Sequence, residues 1–154
     1  HDVGEAGGTL CGLATNLASR GYTVLAIDMR GHGLSSRSQE SQYTPAALAA
    51  DLEGFVTELD LYVRPIGVIG FGLGAMVGAR FAADNPSLVG MLALVEYSPK
   101  RAEDTLRFCY GQAAQFETGL EATEFLCDRC WGVEDGRKLE QVAKYNDWRL
   151  EPIG

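Results

Sequence analysis

The residues best placed to do chemistry lie where a predicted strand turns into a predicted helix, at residues 70–74 (GFGLG). Glycines at such a junction let the backbone approach a phosphate closely, as in the dinucleotide motif G-x-G-x-x-G. Gly70, Gly72 and Ala75 match that motif only loosely. No acidic residue stands at a strand end about 20 residues after Gly70, where a ribose contact would need one. A nucleotide-binding domain is therefore the less favoured alternative.

Three segments together carry a resemblance to a known family. Residues 70–74 have the spacing G-x-S-x-G, with Gly72 in the place of the serine. Residues 28–35 (DMRGHGLS) match D-x-R-G-x-G-x-S, and residues 1–4 (HDVG) match H-G-x-x with Asp2 in the place of glycine. In this order and at these separations the segments resemble the α/β-hydrolase superfamily. The resemblance is to its cap-bearing branch, which includes esterases, C–C hydrolases, epoxide hydrolases and haloperoxidases.

The resemblance implies roles for individual residues. In the family, the G-x-S-x-G turn between strand and helix is called the nucleophile elbow, and its central residue is the nucleophile. The N–H of the residue after it forms the oxyanion hole together with an N–H of the H-G-x-x loop. The matching positions are Gly72 for the nucleophile, Gly70 and Gly74 for the elbow glycines, Val3 and Leu73 for the oxyanion hole, and Glu96 for a possible triad acid. For Glu96 we favour the simpler interpretation of a strand-end acid that hydrogen-bonds to nearby backbone.

Two members of the family's catalytic triad are missing from this sequence. Gly72 has no side chain, and the only histidines, His1 and His32, both precede it. The family order is nucleophile, acid, then histidine, so we expect no acyl transfer from the chain as it stands. We expect His32 to pack and hydrogen-bond within its loop, and Arg30 to tie that loop to a carboxylate or a carbonyl. Because the elbow strains any residue with a side chain, we expect Gly72→Ser to destabilise the fold.

The elements that must position these residues alternate between short apolar runs and amphipathic segments, which favours a parallel sheet covered by helices. We predict strands at residues 22–28, 66–71 and 89–96, and helices at 9–20, from Thr44-Pro45 onward, and at 75–84. The expected fold class is therefore α/β: a partial α/β-hydrolase sheet, with three recognisable parallel strands flanked by helices, over residues 1–98. The resemblance makes residues 99–154 the helical start of a cap domain.

The resemblance also predicts an incomplete sheet. In the family, the strand before the H-G-x-x loop lies between the strands predicted at 22–28 and 66–71. Without it, those two strands either leave a gap or pair directly, and a gap exposes unpaired backbone groups. We therefore expect an N-terminal fragment that is poorly soluble unless a partner segment completes the sheet.

Composition limits the partners. The 154 residues are 46% apolar and 22% charged with a net charge of −8, which is typical of one soluble domain and argues against nucleic acid and anionic membranes as partners. No signal peptide or membrane-spanning run is apparent. Cys127 and Cys130 form the one C-x-x-C among four cysteines, which is too few ligands for zinc, so we expect reduced thiols, no metal and a cytoplasmic location.

These observations predict an incomplete α/β-hydrolase-family protein. By resemblance it is a hydrolase acting on a small ester, amide or related apolar substrate, without a cofactor and without catalytic competence in this chain. The alternative is a noncatalytic pseudoenzyme that binds a small molecule.

Overall fold

The computed structural model describes residues 1–40 and 42–97. In chain order these form a 3-10 turn at Gly7–Leu10, helix α1 at Cys11–Ala18, helix α2 at Pro45–Glu58, a 3-10 turn at Leu61–Val63, strand β1 at Ile66–Phe71, helix α3 at Leu73–Asp84 and strand β2 at Val89–Val95. The predicted cap at 99–154, with its cysteines, lies outside the described residues. Within them, no helix is both long and apolar enough to cross a lipid bilayer.

Strands β1 and β2 pair in parallel, and α3 connects them and packs against both. Small residues on α3 allow this close packing. Ala75 is completely buried, and a Cβ placed on Gly78 would lie 3.1 Å from Cγ1 of Val68 on β1. The strand–helix–strand unit predicted from the sequence is confirmed, and it fixes the junction at residues 70–74.

Helix α2 packs against α3. It begins as predicted, because Thr44 caps it with a hydroxyl that accepts the Ala47 N–H at 3.2 Å, and Pro45 occupies the first turn. The buried cluster at this contact comprises Met29, Leu48, Ala49, Val56, Leu73, Val77 and Phe81. Leu59 is apolar but 46% exposed, because the helix ends at Glu58 and Leu59 lies in the turn that follows.

The prediction of a third strand at residues 22–28 is wrong for this structure. The sheet of the described residues has two strands, and direct pairing of 22–28 with β1 is not seen. A strand requires a neighbour that exchanges backbone hydrogen bonds with it, and an apolar sequence does not supply that neighbour. Tyr22 and Leu25 consequently remain 65% and 50% exposed.

Candidate functional site

The elbow is the turn between β1 and α3, and its central residue is Gly72. Its backbone has φ of 50° and ψ of −113°, a conformation that residues with a Cβ rarely adopt. A Cβ on Gly70 would lie 2.3 Å from the Gly74 carbonyl oxygen, and a Cβ on Gly74 would lie 2.8 Å from the His1 carbonyl oxygen. The structure therefore requires glycine at all three positions, for strain at the centre and for close backbone approach at the flanks.

Two backbone N–H groups converge beside this turn. The Val3 N–H and the Leu73 N–H, which we call the donor pair, each donate to Oδ1 of Asp2 at 2.8 Å. Leu73 is the first residue of α3, so its N–H has no partner inside the helix, and the helix dipole favours a negative charge there. The two residues predicted as oxyanion-hole donors are thus brought together, with the carboxylate of Asp2 as their acceptor.

The Asp2 carboxylate also lies directly over Gly72. A Cβ placed on Gly72 would lie 2.1 Å from both Cγ and Oδ1 of Asp2, far inside van der Waals contact. The carboxylate therefore fills the volume in which a side chain at position 72 would begin. In the sequence, Asp2 is only a departure from the family's glycine, and no motif there predicts a role for it.

Hydrogen bonds of His1 hold the loop that carries Asp2 in place. Its ring is buried, with Nδ1 2.8 Å from the Asp2 carbonyl oxygen and Nε2 2.9 Å from the Met29 nitrogen. The Met29 N–H must donate to Nε2, so the proton is on Nδ1 and the imidazole is neutral. The His1 carbonyl accepts the Gly74 N–H at 3.0 Å. Both ring nitrogens are thus used in structural bonds.

Asp28 joins this loop to the segment at residues 28–35. Its Oδ1 accepts the Gly7 N–H at 2.6 Å and its Oδ2 accepts the Leu34 N–H at 2.9 Å. A Cβ on Gly33 would lie 2.3 Å from Oδ2 of Asp28, so glycine is required there as well. The D-x-R-G-x-G-x-S match marked these residues without indicating that the aspartate bridges two loops.

The expectations for Arg30 and His32 are confirmed. Arg30 forms a bidentate pair with Asp51, with both N–O distances 2.5 Å, and donates to the Gln42 carbonyl at 3.0 Å. The hydrogen bonds that Arg30 donates to the Asp51 carboxylate raise the pKa of Arg30. Nδ1 of His32 lies 3.2 Å from the Arg30 carbonyl oxygen, and the ring stacks at a tilt 5.0 Å from that of His1. Burial lowers the pKa of His32, which favours the neutral imidazole.

Glu96 directly follows β2, which ends beside the elbow because the Val95 carbonyl accepts the Gly72 N–H at 3.1 Å. Its φ of 56° lies in the left-handed region. The side chain is exposed and makes no hydrogen bond to any of the described residues, so the backbone contact favoured from the sequence is not present among them. Its role as a triad acid remains a prediction.

A cleft of about 570 Å³ opens between the loop at residues 27–42 and helix α2. Met29, Leu48 and Phe55 contribute apolar lining, and neither Asp2 nor Gly72 takes part. The cleft is therefore separate from the elbow. In residues 1–40 and 42–97, no group of His, Cys, Asp and Glu side chains could hold a metal ion.

The profile of the alpha/beta hydrolase fold matches residues 4–125. The chain belongs to the α/β-hydrolase family. The predicted fold class is thereby confirmed, although two of the three expected strands are formed in the described residues.

Several of the similar proteins are esterases. An esterase of Mycobacterium tuberculosis is 34% identical over 85 residues, covering 55% of this chain and 28% of that protein. Its crystal structure superimposes with a TM-score of 0.68 at 25% identity, over 98% of this chain and 51% of that one. A pimeloyl-[acyl-carrier protein] methyl ester esterase of Methylococcus capsulatus is 28% identical over 149 residues, covering 90% of this chain and 54% of that protein.

A second similar structure is that of E-2-(acetamidomethylene)succinate hydrolase, with a TM-score of 0.71 at 26% identity, over 94% of this chain and 54% of that one. The chain thus spans about a quarter to about half of the length of the curated relatives it matches, 28% and 54% for the two esterases above.

Proposed function

We propose that this α/β-hydrolase-family chain binds a small ester- or amide-like molecule and carries out no acyl transfer at residue 72. The observation that carries the absence of acyl transfer is the position of the Asp2 carboxylate, which accepts both N–H groups of the donor pair and lies over Gly72. The ligand class comes from the similar proteins, two of which are named for ester hydrolysis.

Acyl transfer at this elbow would need two things that the described geometry opposes. It needs a nucleophilic atom at position 72, and glycine has none. It also needs free N–H donors about 3 Å from the developing oxyanion, whereas Asp2 already accepts from both members of the donor pair. Loss of the nucleophile alone leaves only binding and residual electrostatic effects, which costs several orders of magnitude in rate.

The competing function is hydrolysis of a small ester, as the names of the similar esterases suggest. A histidine base and a nucleophile would then have to come from residues other than Gly72 and His1, since both ring nitrogens of His1 are committed. This alternative predicts turnover by the natural sequence, whereas our proposal predicts ligand binding alone.

The two functions separate in one experiment on the full 154-residue chain. We expect no release of p-nitrophenol from p-nitrophenyl acetate above the buffer rate, measured by absorbance, with a similar esterase as the positive control. Saturation-transfer NMR with methyl hexanoate should in the same sample show ligand signals without methanol release. Turnover at an ordinary esterase rate would overturn the absence of acyl transfer, and a lack of saturation transfer would overturn the binding.

A further inference from the structure

We infer that Asp2 is an internal carboxylate ligand of the donor pair, and that Gly72 is the residue that admits it. The inference rests on the proposed function and deepens it, because it identifies what keeps the N–H groups of Val3 and Leu73 from an external oxygen. It joins the two departures from the family pattern, at positions 2 and 72, into one steric and electrostatic unit.

The contact between the Asp2 carboxylate and the donor pair is short and charge-assisted. A single oxygen, Oδ1 of Asp2, accepts both members of the donor pair at 2.8 Å, which is within the range of charge-assisted hydrogen bonds. One donor is the first N–H of α3, where the helix dipole adds to the attraction for an anion. The acceptor belongs to the same loop as Val3, so its effective concentration at the donors is high.

The position of the Asp2 carboxylate depends on the absence of a side chain at Gly72. The carboxylate carbon and Oδ1 both lie 2.1 Å from the place where a Cβ at position 72 would stand. No side-chain adjustment at position 72 removes that overlap, because the Cβ is fixed by the backbone. A residue with a Cβ at position 72 and a carboxylate in its present place are therefore mutually exclusive.

The donor pair is suited to a small carboxylate as its ligand. A site that holds a carboxylate through two N–H groups will hold another carboxylate of similar size when the first is removed. Truncation of Asp2 to glycine should leave the donor pair vacant, and acetate is the smallest methyl-bearing probe that reproduces the missing group. The native chain should not respond to acetate, because its own carboxylate occupies the donors.

The first test measures the thermal unfolding midpoint of the full-length Asp2→Gly chain during titration with sodium acetate at constant ionic strength. We expect a saturable rise in the midpoint that acetamide and sodium chloride do not produce and that the unaltered chain does not show. Equal responses of the variant and the unaltered chain, or equal effects of acetate and acetamide, would overturn the inference.

The second test remains decisive if Asp2→Gly does not fold. Asp2→Asn keeps the shape and an acceptor oxygen but removes the charge, so the amide proton resonances of both Val3 and Leu73 should move upfield together in the NMR spectrum. Movement of only one of them, or of neither, would contradict a shared carboxylate acceptor.

The third test addresses Gly72 through Gly72→Ala, compared in the unaltered and Asp2→Gly backgrounds. The cost of a positive φ is common to both backgrounds, whereas the overlap with the carboxylate exists only in the first. We expect a distinctly smaller loss in denaturant midpoint in the Asp2→Gly background, and equal losses would overturn the steric coupling. Ester turnover by the unaltered chain would instead overturn the proposed function and leave these three outcomes unaffected.

Discussion

At the scale of single residues, the elbow depends on glycines whose missing side chains leave room for other backbone. Gly70 is the case in which only space matters, because its φ is ordinary while its Cβ would lie 2.3 Å from the Gly74 carbonyl oxygen. We expect Gly70→Ala to lower the free energy of unfolding by about 1–3 kcal/mol or more, as overpacking against backbone does.

The matched control for this prediction is Gly67→Ala on the same strand. Its Cβ would meet only the flexible end of Met91, at 3.1 Å, so we expect a loss of less than about 1 kcal/mol. Urea unfolding of both variants and the unaltered chain measures the difference. Equal losses for the two variants would show that the approach of Gly74 does not constrain β1.

Residue types and spacing predicted the positions of the site, but not what occupies it. Gly72, Val3 and Leu73 could be placed from short motifs, because each motif specifies local backbone geometry. Asp2 could not, because its partner Leu73 is 71 residues away along the chain and the contact exists only once the loop docks on α3. The aspartate in a glycine position was the available signal, and its meaning depended on the missing Cβ at Gly72.

At the scale of elements, the loop before α1 is held to the loop after residue 28 through one side chain. Asp28 accepts the Gly7 N–H and the Leu34 N–H on its two oxygens. Asp28→Asn replaces one acceptor by an NH₂ group that faces a donor, and we expect a loss of about 1–3 kcal/mol in the free energy of unfolding.

The control for Asp28 is Asp51→Asn, which weakens the pair with Arg30. That pair is partly exposed, with side chains 25% and 42% accessible, so its loss should cost no more than about 1 kcal/mol. Urea unfolding gives both values, and amide shifts of Gly7 and Leu34 report whether the loops separate. A smaller effect for Asp28→Asn than for Asp51→Asn would contradict the bridging role.

The elements that the sequence predicted correctly are those whose partners are close in the chain. β1, α3 and β2 follow one another and satisfy each other's backbone and apolar groups, and α2 is begun locally by Thr44 and Pro45. The segment at residues 22–28 has the composition of a strand, but strand formation depends on a neighbour. None of the described residues provides one, so composition alone predicted the wrong state.

At the scale of the whole molecule, membership of the family does not by itself fix the chemistry of the site. The chain belongs to the family, the N–H groups of Val3 and Leu73 lie side by side at the positions predicted for the oxyanion hole, and the position predicted for the nucleophile is a glycine. Because a fold supports many functions, the chemistry has to be argued from the site. In our proposal, Asp2 and Gly72 exclude an external oxyanion and a nucleophile through the same small volume.

The stability of the whole chain should depend on pH through His32. Burial lowers the pKa of His32 in the folded state, and the positive charge of the N-terminal amino group lowers it further, while the Arg30 carbonyl and the carboxylates of Asp28 and Asp2 oppose this in part. The unfolded chain therefore binds the proton more readily, and the free energy of unfolding should fall as the pH drops below about 6.5, the ordinary histidine value, until the folded-state pKa is passed.

Urea midpoints at pH 7.5 and pH 5 for the unaltered chain and His32→Asn measure this, since asparagine can still donate to the Arg30 carbonyl but does not titrate. The unaltered chain should lose more stability than the variant between the two pH values, because the carboxylates contribute to both alike. An equal loss in both chains would show that His32 is not buried as a neutral group against the loop of Asp2.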